Sequence, residues 1–256
     1  MAANDSGRPP LTSTAAWTSA LPTPDVVLAV GAHPDDVEFG CGGTLAKWAG
    51  AGCTVHHLIC TDGSKGTWDV DADTAALVRI RQDEQRQAAR LLAGDRVGEA
   101  SFLGEVDGEL SSGLGLREQV VRVVRRLRPD VVLGHDPWKR YRIHPDHRHA
   151  GFLTVDAIAS ARDPHAFREQ GLAAHRPLAL LLFEADDPDH VEDVTRTVAA
   201  KLAALEAHRS QFESTMYAAD EDELQAFRNR IRSQLEELGA PHGFGAAEVF
   251  KRIDDL

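Results

Sequence analysis

The sequence predicts an α/β fold, a Rossmann-like, mostly parallel sheet with helices on both faces and a C-terminal lobe. Three observations carry that expectation. Short continuous apolar runs such as Val26-Val27-Leu28-Ala29-Val30 look like strands buried on both faces. These runs alternate with segments of helical periodicity, the pattern of a parallel sheet covered by helices. Gly31, Gly52, Asp62-Gly63, Gly94 and Pro129 punctuate the alternation where the chain must turn.

In order, residues 26–30 form the first strand and residues 44–51 a helix closed by Gly52. Residues 54–61 give the second strand. Residues 74–93 form a long helix, with Leu77, Ile80, Ala88, Leu91 and Leu92 near one face and Gly94 at its end. A short strand over 100–103 precedes a glycine-rich loop. Leu116, Val120, Val123, Val124 and Leu127 recur at spacings of three and four, which marks an amphipathic helix stopped by Pro129. Val131-Val132-Leu133 is another buried strand, and residues 178–183 add a late one. Two polar helices, over 191–209 and 220–238, follow, and the run Glu221-Asp222-Glu223 suits the N-terminus of the second. Residues 1–25, rich in Ala, Ser, Thr and Pro, read as a disordered tail and not as a signal peptide. Residues 26–256 then make one domain, with a core over 26–160 and a C-terminal lobe over 161–256.

The chain has 256 residues, 43% of them hydrophobic, enough to bury a full core. Lys plus Arg is 28 and Asp plus Glu is 40, a net charge of −12. That field repels phosphate backbones and anionic membrane surfaces, so nucleic acid and membrane are poor partners and a small molecule a better one. No apolar stretch approaches the ~20 residues needed to span a bilayer. Cys41, Cys53 and Cys60 form no CxxC pair and read as reduced core thiols, which fits a cytoplasmic protein. The composition leaves room for a homo-oligomer.

Two clusters carry chemistry. Gly31-Ala32-His33-Pro34-Asp35-Asp36-Val37-Glu38 follows the first strand, at the edge of the sheet where ligands collect. His33 and Asp36, three apart on a loop pinned by proline, can converge on one cation. Zinc accepts both donor types, and a catalytic site keeps three protein ligands with an open fourth position. Asp35, between them, is free to act as a base. Alone, this loop would be an ordinary capping turn. The second cluster, His135-Asp136-Pro137-Trp138 and then His144-Pro145-Asp146-His147-Arg148-His149, follows another buried strand and so lies at the same edge. Pro145 suits the first position of a helix, and His144 and His147 then share a face of its first turn. One of the two can bind a metal while the other reaches a reacting carbonyl, and Asp146 can orient an imidazole.

These paired motifs resemble the LmbE-like (PIG-L) N-deacetylases over about residues 26–151. The resemblance implies a hydrolase that removes an N-acyl group, usually acetyl, from an amino sugar or similar small amide. It implies zinc, with Fe2+ also accepted by such ligand sets, held by His33, Asp36 and His147. Asp35 becomes the general base, His144 the group that stabilises or protonates the tetrahedral intermediate, and Asp146 the carboxylate that orients a histidine. Arg81 resembles a family arginine that grips sugar hydroxyls, against a plain reading as a solvated helix charge. Asp107 could bind sugar hydroxyls too, or simply form an Asp-Gly turn.

Many members that serve low-molecular-weight thiol synthesis carry Glu directly after the two aspartates. Here Val37 intervenes before Glu38, so the chain is not assigned to that pathway. His56 and His57 are adjacent in a strand and point to opposite faces. Gly40, Gly42 and Gly43 lack the Lys-Ser/Thr of a phosphate cradle and read as tight turns beside the metal loop. Two alternatives remain. Two histidines and a carboxylate also form the facial triad of non-haem iron oxygenases, although such an enzyme needs no base like Asp35. A non-enzymatic protein holding a nucleotide or a structural metal would need a fourth ligand, which His135 or His149 could supply.

Overall fold

The computed structural model describes residues 17–256. The chain first forms β1 (Thr18–Ser19), β2 (Val26–Gly31), α1 (Asp36–Gly50), β3 (Thr54–Thr61) and α2 (Thr74–Ala93). It continues through β4 (Val97–Glu105), α3 (Leu114–Leu127), β5 (Val131–His135) and α4 (Pro145–Ala161). The last third holds β6 (Ala179–Phe183), β7 (His190–Asp193), α5 (Val198–Glu206), α6 (Glu221–Gly239) and β8 (Ala247–Ile253). One sheet joins all the strands in the order β1-β7-β8-β6-β5-β2-β3-β4. β8 pairs antiparallel with β6 and β7, and the other pairings are parallel.

Alternate side chains of each central strand serve opposite faces of the sheet, as a two-residue period dictates. Val27, Ala29, Val55, Ile59, Val131 and Leu133 pack with α1 and α2. Leu28, Val30, Leu58, Cys60 and Val132 pack with α3 and α4. Both faces are covered, which is why the strands are apolar throughout. A third cluster joins α5 and α6 through Leu202, Leu205, Leu224, Phe227, Ile231 and Leu235. The three cysteines are free and buried. Among the described residues, no helix is long and apolar enough to cross a membrane.

Several expectations need correction. The expected helix over 44–51 begins at Asp36, so Gly40, Gly42 and Gly43 lie inside a helix and not in turns. They are there for close packing: a Cβ at Gly40 would meet the Phe183 ring at 2.6 Å, and one at Gly43 would meet Val194 at 2.9 Å. The helix expected over 191–209 is β7 followed by the shorter α5, because residues 190–193 pair with β8. The C-terminal third therefore contributes three strands to the sheet as well as helices beside it. Of the tail expected over 1–25, residues 1–16 lie outside the described part, while Thr18 and Ser19 already pair with β7.

α1 is kinked at Cys41, whose φ of −150° and ψ of 15° are not helical. The break frees backbone donors of the second half, and a carboxylate from β8 takes them up. Glu248 Oε1 accepts from Gly43 N–H (2.9 Å) and Oε2 from Thr44 N–H (2.7 Å). Lys201 of α5 donates to Glu248 Oε1 (2.6 Å) and to Phe39 O (2.7 Å), and both charges are buried. Glu248→Ala would strand the Lys201 ammonium and two amides together. Removing one partner of a buried pair costs about 3–5 kcal/mol, so the urea midpoint should fall clearly with an unchanged slope.

After β2, β3 and β4 the chain returns to place β5 on the other side of β2. The reversal opens a crevice beyond the carboxyl ends of β2 and β5, the usual place for a ligand in such sheets. Both histidine clusters leave the sheet there.

Candidate metal centre and active site

The first cluster occupies the turn from β2 into α1. Asp35 caps that helix with φ 104° and ψ −27°, a left-handed conformation that a non-glycine residue adopts only under constraint. The constraint is visible. Arg81 of α2 donates through Nη2 to Pro34 O (2.6 Å) and reaches Asp35 Oδ2 at 3.4 Å, while Nη1 donates to Gly63 O (2.9 Å). Gln85, one turn further along α2, accepts from Asp35 N–H (3.0 Å). At 3% exposure Arg81 is no solvated charge. Its guanidinium serves protein oxygens of two loops where sugar hydroxyls were expected.

Asp36 is the hub. Its Oδ2 lies 3.3 Å from His33 Nδ1 and 3.2 Å from His135 Nε2, and its Oδ1 lies 3.4 Å from His147 Nε2. His33 N–H also donates to Oδ2 at 2.7 Å, which locks the turn. The ligand atoms of His33, Asp36 and His147 all lie within 4.8 Å of one another, from loop and helix at the same edge of the sheet. Two ligands on a tetrahedral cation with bonds of ~2.0–2.1 Å stand about 3.3 Å apart. The His33–Asp36 and His147–Asp36 separations, each to a different oxygen of the carboxylate, are of that size, and two imidazoles with one carboxylate are a donor set that suits a divalent ion.

Around this set, a further layer orients the rings. His33 Nε2, on the side away from Asp36, meets Asp146 Oδ2 at 3.1 Å and Asp107 Oδ1 at 3.2 Å. A ligand imidazole held by a carboxylate in this way has a fixed tautomer and orientation. The imidazole that Asp146 meets is that of His33, across the crevice from its own helix. Asp146 also accepts from Gly108 N–H (2.6 Å) and Leu110 N–H (3.2 Å), tying the loop after β4 to the site. Asp107 faces the metal set and accepts from Lys65 N–H (3.1 Å). Pro145 is the first residue of α4, and His144 caps it, its Nδ1 accepting from Asp146 N–H at 3.3 Å. In the neutral ring, hydrogen then sits on Nε2.

His135 and His149 part company. His149 Nδ1 pairs with Ser112 Oγ and stands outside the cluster. His135 touches Asp36 but groups with His147 and Glu184, and its Nδ1 meets Glu184 Oε2 at 3.2 Å. Arg142 joins them, donating to His147 Nδ1 (2.5 Å) and to Glu184 Oε2 (2.5 Å). A cation ligated by His147 Nε2 needs hydrogen on Nδ1, so its binding would redirect Arg142 to Glu184 alone.

Burial pushes the Asp35 carboxyl up to about 6, against the Arg81 guanidinium and helped by the negative charge of Asp36. Burial would also raise Asp36, but the imidazoles of His147 and His135 hold it well below the usual carboxylate range. Burial opposes protonation of His33, yet hydrogen bonds to Asp107, Asp146 and Asp36 keep it well above the usual imidazole value. His144 is lowered by burial and by the charge of His33.

Beneath Asp35 lies a polar network that sequence reasoning missed. Gln85 Nε2 donates to Glu38 Oε1 (2.8 Å) and faces His57 Nδ1 (3.2 Å), and Glu38 Oε2 lies 3.4 Å from His208 Nε2. All four are buried. Gln85, four residues after Arg81 on one face of a helix, was the available signal. His208 offered none.

The GlcNAc-PI de-N-acetylase (PIG-L) family matches residues 28–158. The chain is 36% identical over 189 residues to the diacetylchitobiose deacetylase of Thermococcus kodakarensis, covering 73% of this chain and 70% of that one. It is 31% identical to a 1D-myo-inositol 2-acetamido-2-deoxy-alpha-D-glucopyranoside deacetylase of Rhodococcus erythropolis, covering 72% and 80%. Among solved structures, the N,N'-diacetylchitobiose deacetylase of Pyrococcus horikoshii, complexed with its inhibitor MPG, superposes with a TM-score of 0.81 at 30% identity. That match covers 90% of this chain and 84% of that one.

Proposed function

The chain belongs to the GlcNAc-PI de-N-acetylase (PIG-L) family, and from that premise we propose that it is a cytoplasmic, zinc-dependent deacetylase of an N-acetylated amino sugar or saccharide. The observation that carries this reading is the convergence of His33, Asp36 and His147, with the Asp35 carboxylate held beside them on the wall of one cleft. Names of relatives at 36% and 31% identity support an acetamido sugar as substrate. Membership of a hydrolase family also disfavours the oxygenase and the non-enzymatic binder.

His33, Asp36 and His147 would hold the metal. When bound, a divalent cation supplies Lewis acidity to an amide carbonyl and to a water molecule. The protein supplies the rest. Arg81 and Gln85 fix the Asp35 loop, so that its carboxylate stands ready to remove a proton from the attacking water. His144, with hydrogen on Nε2, donates to the oxygen that gains negative charge as the carbonyl carbon becomes tetrahedral. Asp146 keeps His33 in its ligating orientation. Collapse of that intermediate breaks the C–N bond and leaves a free amine and acetate, the amine taking up the proton.

The test is release of primary amine, read with fluorescamine, from N-acetylglucosamine, diacetylchitobiose and their glycosides by protein reconstituted with Zn2+ or Fe2+. Chelator-sensitive amine release is expected. No release from any acetamido sugar under either metal would overturn the reading.

A further inference from the structure

The cleft continues past the metal cluster to an end of opposite character. Its volume of about 880 Å³ stands near the top of the roughly 300–1,000 Å³ common for small-molecule sites. One end is polar, lined by Lys65, Arg81 and Asp107, with Trp68 at 77% exposure beside them. The other is walled by Phe39 of α1 and by Ile231, Leu235 and Leu238 of α6, with Gln234 among them. Phe39 is braced edge-on against Phe227, ring centroids 6.1 Å apart. The charged groups at this end offer a ligand little: Glu248 already accepts from Lys201, Gly43 N–H and Thr44 N–H, and Lys201 also serves Phe39 O.

We propose that this α6 wall is a subsite for an aliphatic group of the substrate, several carbons long. The inference rests on the N-deacetylase reading above and deepens it. The wall is continuous with the cavity that holds Asp35, Asp36 and His147, so its occupant arrives as part of the reacting molecule. In a trans amide the amine substituent and the acyl chain leave the carbonyl in opposite directions. A sugar at the polar end therefore sends the acyl chain toward α6. An alkyl aglycone shares the same chemistry, and the two sources separate by experiment.

kcat/KM is measured for N-acetyl-, N-butyryl-, N-hexanoyl- and N-octanoylglucosamine, and for methyl, butyl and octyl glycosides of N-acetylglucosamine. Wild type is compared with Leu238→Ser and with Leu238→Asn, whose near-isosteric change guards against misfolding. Each methylene that enters the subsite should raise kcat/KM about four-fold, giving at least a ten-fold gain from acetyl to hexanoyl. A gain confined to the glycosides would keep the subsite and assign it to the aglycone. In both variants the ratio of long to short substrate should fall toward one. Flat or falling series in both sets, or a gain untouched by both variants, would overturn the subsite. Calorimetric binding at each chain length reads the subsite independently, so binding that strengthens with length without amine release would overturn only the deacetylase reading.

Discussion

Asp35→Asn is expected to lower kcat by ~10²–10⁴-fold, the usual scale for a lost general base, while the protein keeps its metal. The amide has the shape of the carboxylate but cannot accept the proton. The features that hold residue 35 in its left-handed turn, Gln85 on its N–H and Arg81 on Pro34 O, do not depend on the carboxylate. The pH profile separates this from general damage. Burial raises the Asp35 carboxyl to about 6, and the base must be deprotonated, so activity should fall as pH drops through that value. A dication bound nearby favours the carboxylate, which places the limb of the loaded enzyme at or below about 6. In Asp35→Asn the limb should disappear. The measurement is kcat/KM against pH with metal content checked at each point. A metal-loaded variant within a few-fold of wild type at every pH would remove Asp35 from the mechanism.

Arg81→Met tests the support of that base. Its loss leaves Pro34 O without its donor and Gly63 O with Gly66 N–H alone, and leaves Gln85 as the remaining hold on the Asp35 turn. kcat should fall ten-fold or more with bound metal retained. A change confined to KM would instead return Arg81 to the substrate contact expected from the sequence.

The parts of the fold legible in the sequence are those where local signals agree with packing. β3 and α2 have the bounds the punctuation predicts, because Asp62-Gly63 and Gly94 end them and their apolar positions repeat at one period. β7 and β8 were hidden for the opposite reason. Residues 191–193 read as the start of a polar helix, yet Glu192 and the preceding His190 are both buried and pair with each other at 2.9 Å. Glu248, inside a strand, is buried because a helix kink 205 positions away needs its carboxylate. No window of sequence contains that relation. At the site, the two motifs and their common edge were legible from strand-then-histidine order alone. The partners of each side chain were not. Asp146 reaches His33 across 113 positions, and His208 reaches Glu38 of α1 from just past α5 in the last third of the chain.

Loss of a metal ligand should have the largest effect. Asp36→Ala is expected to abolish both turnover and metal occupancy, with His33→Ala and His147→Ala close behind. Among the described residues, Asp36 is the only carboxylate that faces His33, His135 and His147 together, at 3.2–3.4 Å. Without it the three imidazoles keep no central anion, and a dication there would lose its only charge-neutralising ligand. Asp146→Asn forms the graded comparison. It leaves all three ligands in place and weakens the support of His33 Nε2, along with a backbone acceptor for the loop after β4; loss of such support for a ligand typically costs ~10–100-fold in metal affinity. Stability provides a readout independent of turnover, since a ligand bound only to the folded state adds about 2.7 kcal/mol at one hundred times its Kd. Chelator should therefore lower the melting temperature of wild type by several degrees, shift Asp146→Asn at higher free metal concentration, and leave Asp36→Ala where it was. Full zinc retention by Asp36→Ala, His33→Ala and His147→Ala, each with a chelator-sensitive melt like that of wild type, would place the metal elsewhere and undo the ligand assignment.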